Sequence, residues 1–168
     1  MGISEAEPEG RRDRRLDPRG PPVRAVADTN VIAYFLLGTE PFREECEKFW
    51  REVEDPIAPA SWEAELINVL WMATRKDVLD LPEALHRLEL ARSMGIRSIS
   101  SSSLWHGALV RAHASGVAAY DTLFVELADR EAIPLATFDE LVIKAFPRLA
   151  MRPRKVPSHT TGPRVTRR

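Results

Sequence analysis

Val23-Arg-Ala-Val-Ala-Asp28-Thr-Asn30 is where the chain first becomes interpretable, and Ile133-Pro-Leu-Ala-Thr-Phe-Asp139 repeats its plan. Each is a short, mostly apolar run too brief for a helix, so each reads as a strand, and each stops on an acid. A helix follows both. Asn30–Leu37 is entered through Asp28 and Thr29 as caps and closed at Gly38, and Glu140–Ala145 starts directly after Asp139.

The same alternation continues between these two units. Pro41–Val53 reads as a helix, and Pro56-Ile-Ala-Pro59 is too Pro-bounded for more than a short strand. Ser61 caps a helix running to Arg75, with Leu66, Val69, Leu70 and Ala73 on one face. Leu81–Ser93 follows, with Leu85, Leu88 and Leu90/Ala91 as its apolar positions. Ile96–Ile99 is a strand, Ser103–Ser115 a helix closed at Gly116, and Tyr120–Glu131 a helix with Leu123, Phe124 and Leu127 facing inward. Leu149–Met151 is a last edge strand. Strands alternating with helices over this length predict an α/β fold with a mostly parallel central sheet.

Composition bounds the rest. The 168 residues make one domain, residues 23–151, between an arm (1–22) and a basic tail (152–168) that both read as disordered. One cysteine, Cys46, excludes an internal disulfide framework and suits a reducing compartment. No run approaches the roughly 20 apolar residues of a membrane span, and the first residues lack the apolar centre of a secretory signal. The expected location is the cytoplasm. The net charge of −1 conceals segregation: residues 25–147 carry −9, residues 148–168 carry +7. A basic end on an acidic body points to a polyanionic partner, although a solubilising end has the same composition. Arginine exceeds lysine 20 to 4 and glutamine is absent, as a GC-rich genome produces.

Four acids stand out: Asp28, Glu65, Asp121 and Asp139. Each has an ordinary structural use. Asp28 can be an N-cap, Glu65 a solvated helix acid, and Asp121 and Asp139 first-turn acids favoured by the helix dipole. Position argues for more. In parallel sheets ligands bind beyond the carboxyl ends of strands, which is where Asp28 and Asp139 stand. Asn30 lies in the same turn as Asp28, and Asn68 shares a helix face with Glu65 at i, i+3. If the fold gathers these acids, only hard cations could hold so much negative charge in one cleft.

The four patches, Ala-Asp-Thr-Asn-Val-Ile, Glu65-Leu-Ile-Asn68-Val-Leu, Tyr-Asp121-Thr-Leu-Phe-Val-Glu-Leu-Ala and Pro-Leu-Ala-Thr137-Phe-Asp139-Glu-Leu, resemble the PIN-domain nucleases in order and spacing over roughly residues 23–151. The likeness is greatest to the VapC-type toxins of prokaryotic toxin–antitoxin modules. The resemblance implies a three-layer α/β/α sandwich, with Asp28, Glu65, Asp121 and Asp139 lining one acidic pocket. It implies one or two Mg²⁺ or Mn²⁺ ions held there for hydrolytic cutting of RNA, and support from the Thr137 hydroxyl. It further implies a small cognate antitoxin and a homodimer. Phe35, Leu36, Leu37, Phe42, Phe49 and Trp50 are either the surface that receives the antitoxin or part of the core.

Chemistry agrees with that implication. Magnesium prefers oxygen ligands, and His86, His106, His113 and His159 have no zinc-site spacing with Cys46. Asp28, Asp121 and Asp139 are the expected metal ligands, with Glu65 a ligand or the orienter of the attacking water. A dehalogenase-type phosphotransferase also places an Asp after its first strand, but it needs a second Asp where this chain has Asn30. A non-catalytic PIN-like module that binds RNA or protein is the remaining alternative, and four intact acids weigh against it.

Overall fold

The computed structural model describes residues 22–157. Five strands, β1 (Arg24–Ala27), β2 (Asp55–Pro59), β3 (Arg97–Ile99), β4 (Leu135–Ala136) and β5 (Ala150–Met151), form one sheet in the order β3-β2-β1-β4-β5. Every pairing is parallel. Ala25, Val26 and Ala27 are wholly buried, as a central parallel strand covered on both faces requires.

Seven helices cover the sheet: α1 (Thr29–Leu37), α2 (Arg43–Glu52), α3 (Ser61–Arg75), α4 (Leu81–Ser93), α5 (Trp105–Ser115), α6 (Ala119–Glu131) and α7 (Glu140–Ala145). Parallel crossovers are right-handed, so chain direction fixes the layers. The steps β1 to β2 to β3 move one way along the sheet and put α1–α4 on one face. The step from β3 back across β1 to β4 reverses, putting α5 and α6 on the other. Contacts follow this division: α1 packs with α2, α3 and α4, while α6 packs on α5, β1 and β2. The result is the expected α/β/α sandwich. Its strand order reverses between β1 and β4, and α/β sheets open a ligand crevice at that point.

Several boundaries differ from expectation for local reasons. Ser61 does not cap α3; Ala60 holds the cap position, and the Ser61 hydroxyl is buried within the first turn without a partner. Ser101–Ser103 form a 3-10 turn, so α5 starts at Trp105. The β4 ladder is short because side chains take the next amides: Phe138 N–H donates to Asn30 Oδ1 (3.1 Å) and Asp139 N–H to Thr137 Oγ1 (3.0 Å). On α4 the buried residues are Ala84 and Ala91, with Leu88 half-buried, whereas Leu85 and Leu90 are exposed.

The six apolar residues of α1, α2 and their connection belong to the core or its edge. Leu36 and Phe49 are buried, and Phe35, Leu37, Phe42 and Trp50 pack against them. Phe42 stacks on Tyr34 and lies against Phe138 at 4.6 Å between ring centroids. Exposed apolar surface lies instead on and around α3 and α4, at Ile67, Trp71, Leu81 and Leu85, and on α5 and α7, at Trp105, Leu109, Val110 and Leu141. At the C-terminal side, packing continues past Met151. Arg152 pairs with Glu45 at 2.7 Å and lies 4.9 Å above the Phe138 ring, and Pro153 and Val156 are buried. The remainder of the arm and the tail beyond residue 157 lie outside the described residues. Among the described residues no helix is long and apolar enough to cross a membrane.

One buried acid is structural. Glu126 on α6 is 6% exposed and accepts hydrogen bonds from Arg111 of α5 (2.7 Å) and from Arg130. Burial works to raise its pKa, but the two guanidinium hydrogen bonds outweigh it and hold the carboxyl below its ordinary value. Gly107 makes room for it, because a Cβ there would fall 2.1 Å from the carboxylate. Glu126→Gln is expected to lower stability by about 2 kcal/mol. That is less than the full cost of breaking a buried pair, because both arginines reach solvent and can rehydrate. Urea unfolding measures this, and an unchanged midpoint would mean the pair contributes nothing to α5–α6 packing.

Candidate functional site

Asp28 ends β1 and begins α1, and it serves both elements. As the N-cap its Oδ1 accepts from Asn30 N–H (3.3 Å). Its Oδ2 accepts from Asn30 Nδ2 (2.8 Å) and from Thr137 Oγ1 (2.6 Å), which reaches across from the end of β4. Asn30 Nδ2 also donates to Thr137 Oγ1 at 3.2 Å. Asn30 and Thr137 therefore lock the two strand ends together at the switch point and fix the orientation of the Asp28 carboxylate. Thr137 is wholly buried, so its hydroxyl has no competing water.

Asp139 caps α7, its Oδ1 accepting from the amides of Leu141 (2.7 Å) and Val142 (3.1 Å). Glu65, on α3, accepts from Thr29 Oγ1 through Oε2, while its Oε1 is buried and has no partner. Thr29 is a site residue that the sequence suggested only as a cap; its position directly after Asp28 was the available signal. Asn68 is exposed and, among the described residues, makes no hydrogen bond to Glu65 or to another acid of the cleft. Helical spacing put it on the Glu65 side, but the side chain turns to solvent.

The four acids sense one another. Asp28 has its pKa raised from 3.8 to about 6, first by burial and then by repulsion from Asp121 and Glu65, against the lowering hydrogen bonds from Thr137 and Asn30. Asp121, near the start of α6, is also raised from 3.8 to about 6, by burial and by the charges of Asp139 and Glu65. Repulsion links the carboxylates of β1, α3, α6 and the β4–α7 turn into one electrostatic unit.

Among the described residues no three acidic, histidine or cysteine side chains gather tightly enough to cage an ion. That does not disqualify the donor set for magnesium, which keeps several waters and is commonly bound through only one or two carboxylates. The unpartnered Glu65 oxygen and the two carboxyls forced upward in pKa are what such a cation would relieve. The residues fit a hard divalent ion.

Asp28 and Asp139 stand at the reversal of a parallel sheet, with Glu65 and Asp121 near enough to act on their charges, and the chain belongs to the PIN domain family, whose pattern it matches over residues 25–149. It is similar to Ribonuclease VapC3 of Mycobacterium tuberculosis, in strain CDC 1551 / Oshkosh and in strain ATCC 25618 / H37Rv. Each comparison gives 28% identity over 135 residues, covering 79% of this chain and 95% of the relative.

Proposed function

We propose that this protein is a metal-dependent endoribonuclease, the toxin of a VapC-type toxin–antitoxin pair, hydrolysing RNA phosphodiesters at Asp28, Glu65, Asp121 and Asp139. The observation that carries the reading is that Asp28 and Asp121 have pKa values near 6, first through burial and then through the charges of the neighbouring acids, Asp121 and Glu65 on Asp28, and Asp139 and Glu65 on Asp121. The likeness to a protein named as a ribonuclease supports the substrate class.

In this reading Asp28, Asp121 and Asp139 hold the ion, Mg²⁺ or Mn²⁺, and Glu65 is a further ligand or orients water through its free Oε1. When bound, the ion lowers the pKa of a coordinated water and offsets phosphate charge. Asn30 and Thr137 keep the Asp28 carboxylate in one orientation. Glu65 is tethered at one oxygen by Thr29, leaving the other to accept from water. The same reading brings a small cognate antitoxin, a homodimer and a cytoplasmic location.

Cleavage of an end-labelled RNA separates enzyme from binding module. The expected result is fragmentation that requires Mg²⁺ or Mn²⁺, stops with EDTA and returns when metal is restored. RNA that is bound but uncut at every metal concentration would replace this reading with a non-catalytic PIN-like module.

A further inference from the structure

Three adjoining clefts run from Asp121 and Asp139 along the seam between α5 and α7. The first, about 630 Å³, has Tyr120, Asp121, Asp139 and Lys144 in its wall. It shares Ser115 and Ala145 with a second of about 490 Å³. The second shares Arg111, Ala145 and Phe146 with a third of about 310 Å³, whose wall includes Arg148. Clefts that share walls in sequence form one groove, and each is of a size that takes a small-ligand unit, about 300–1,000 Å³.

The side chains along this groove differ from the rest of the acidic body. Lys144 and Arg148 are exposed and form no ion pair among the described residues. Arg111 lies between them, but Glu126 and Asp129 already engage its charge. Tyr120 is 62% exposed beside Asp121. A groove that begins at the acids, offers an open aromatic ring and carries unspent cations has the chemistry that recognises single-stranded nucleic acid, by stacking and phosphate contact.

We propose that this groove carries the RNA strand on one side of the scissile phosphate, with Tyr120 stacking on the adjacent base and Lys144 and Arg148 contacting phosphates further along. This rests on the ribonuclease reading and adds the path of the strand. It also accounts for how a body with a charge of −9 over residues 25–147 attracts a polyanion. Tyr120, Lys144 and Arg148 bind the substrate strand directly and take no part in the bond cleavage.

The test is fluorescence anisotropy of a labelled single-stranded RNA of about 12 nucleotides, bound to the full chain carrying Asp28→Asn, across a range of salt concentrations with Mg²⁺ present. Each phosphate contact on a single strand adds about 0.7 to the slope of log K against log salt. Lys144→Ala and Arg148→Ala should each reduce the slope by about 0.7, and the double variant by about 1.4. Tyr120→Ala should weaken binding roughly tenfold with the slope unchanged, and Tyr120→Phe should restore it. Arg92→Ala, on α4 across the sheet, should leave the slope as it is. An unchanged slope and affinity in the double variant, or an equal loss in Arg92→Ala, would overturn the groove. Failure of the unmodified chain to cut RNA, with these binding effects intact, would sink the nuclease reading and leave the groove standing.

Discussion

Asp28→Asn is expected to reduce magnesium-dependent RNA cleavage by about 10³-fold while the protein stays folded. The magnitude follows from removing a ligand whose ion supplies several kcal/mol of charge stabilisation, at about 1.4 kcal/mol per tenfold in rate. The fold survives because asparagine caps helices as well as aspartate does, and because the strand ends keep the Asn30–Thr137 hydrogen bond. Metal-free stability should change little, since the substitution removes a charge that two other acids repel but sets an amide NH₂ where one carboxylate oxygen accepts hydrogen bonds. The pairing of lost activity with kept stability is the diagnostic. A merely structural Asp28 would give the opposite: a less stable protein whose remaining folded fraction cuts at the normal rate. Single-turnover cleavage and thermal melting on the same preparation distinguish them.

The parts of this site that could be read from sequence are those where one residue does two local jobs. Asp28 is recognisable because a strand ends and a helix begins at the same position, and an acid there caps the helix whatever else it does. Asp139 repeats the arrangement, and the C-terminal end of α3 and both ends of α4 fall where expected because the apolar spacing and, for α4, the Asp80–Glu83 capping box are local to the helix. What could not be read depends on which helix lies opposite. Helical spacing put Leu85 on the packed side of α4 and Asn68 beside Glu65, yet periodicity defines a face and not its neighbour. Glu126 looked like any acid on an amphipathic helix. Only the pairing of α5 with α6 brings Arg111 and the space above Gly107 to it. Lys144 and Arg148 likewise gain meaning from the seam between α5 and α7, which no local pattern encodes.

The second large effect is an unusual dependence of stability on pH. In most proteins carboxylates are stabilised by folding, and stability is lost in acid. Here folding raises the pKa of Asp28 and Asp121 from 3.8 to about 6. Between those values the folded state holds protons that the unfolded chain has released, so stability falls as pH rises. For Asp28 the full penalty above pH 6 is about 3 kcal/mol, at 1.36 kcal/mol per unit. Asp121 is partly open to solvent, and screening reduces its share to about half of that. About half of this total, roughly 2 kcal/mol, is regained on moving the metal-free protein from pH 7.5 to pH 5. For a domain of this size that corresponds to a rise in melting temperature of about 4–8 °C. Asp55 and Glu126, whose pKa values are lowered by their arginine partners, stay ionised in the folded state throughout this window, and the unfolded chain begins to protonate them only at its acid end, so they oppose the trend weakly. Saturating Mg²⁺ should raise the melting temperature at pH 7.5 and flatten the profile, since a bound cation offsets the charge that protonation would otherwise remove. Asp28→Asn should flatten it without metal, to roughly the share left by Asp121. A metal-free protein that melts lower at pH 5 than at pH 7.5 would mean that burial and neighbouring charge do not hold Asp28 and Asp121 above their ordinary pKa values, and the case for a shared metal cleft would go with it.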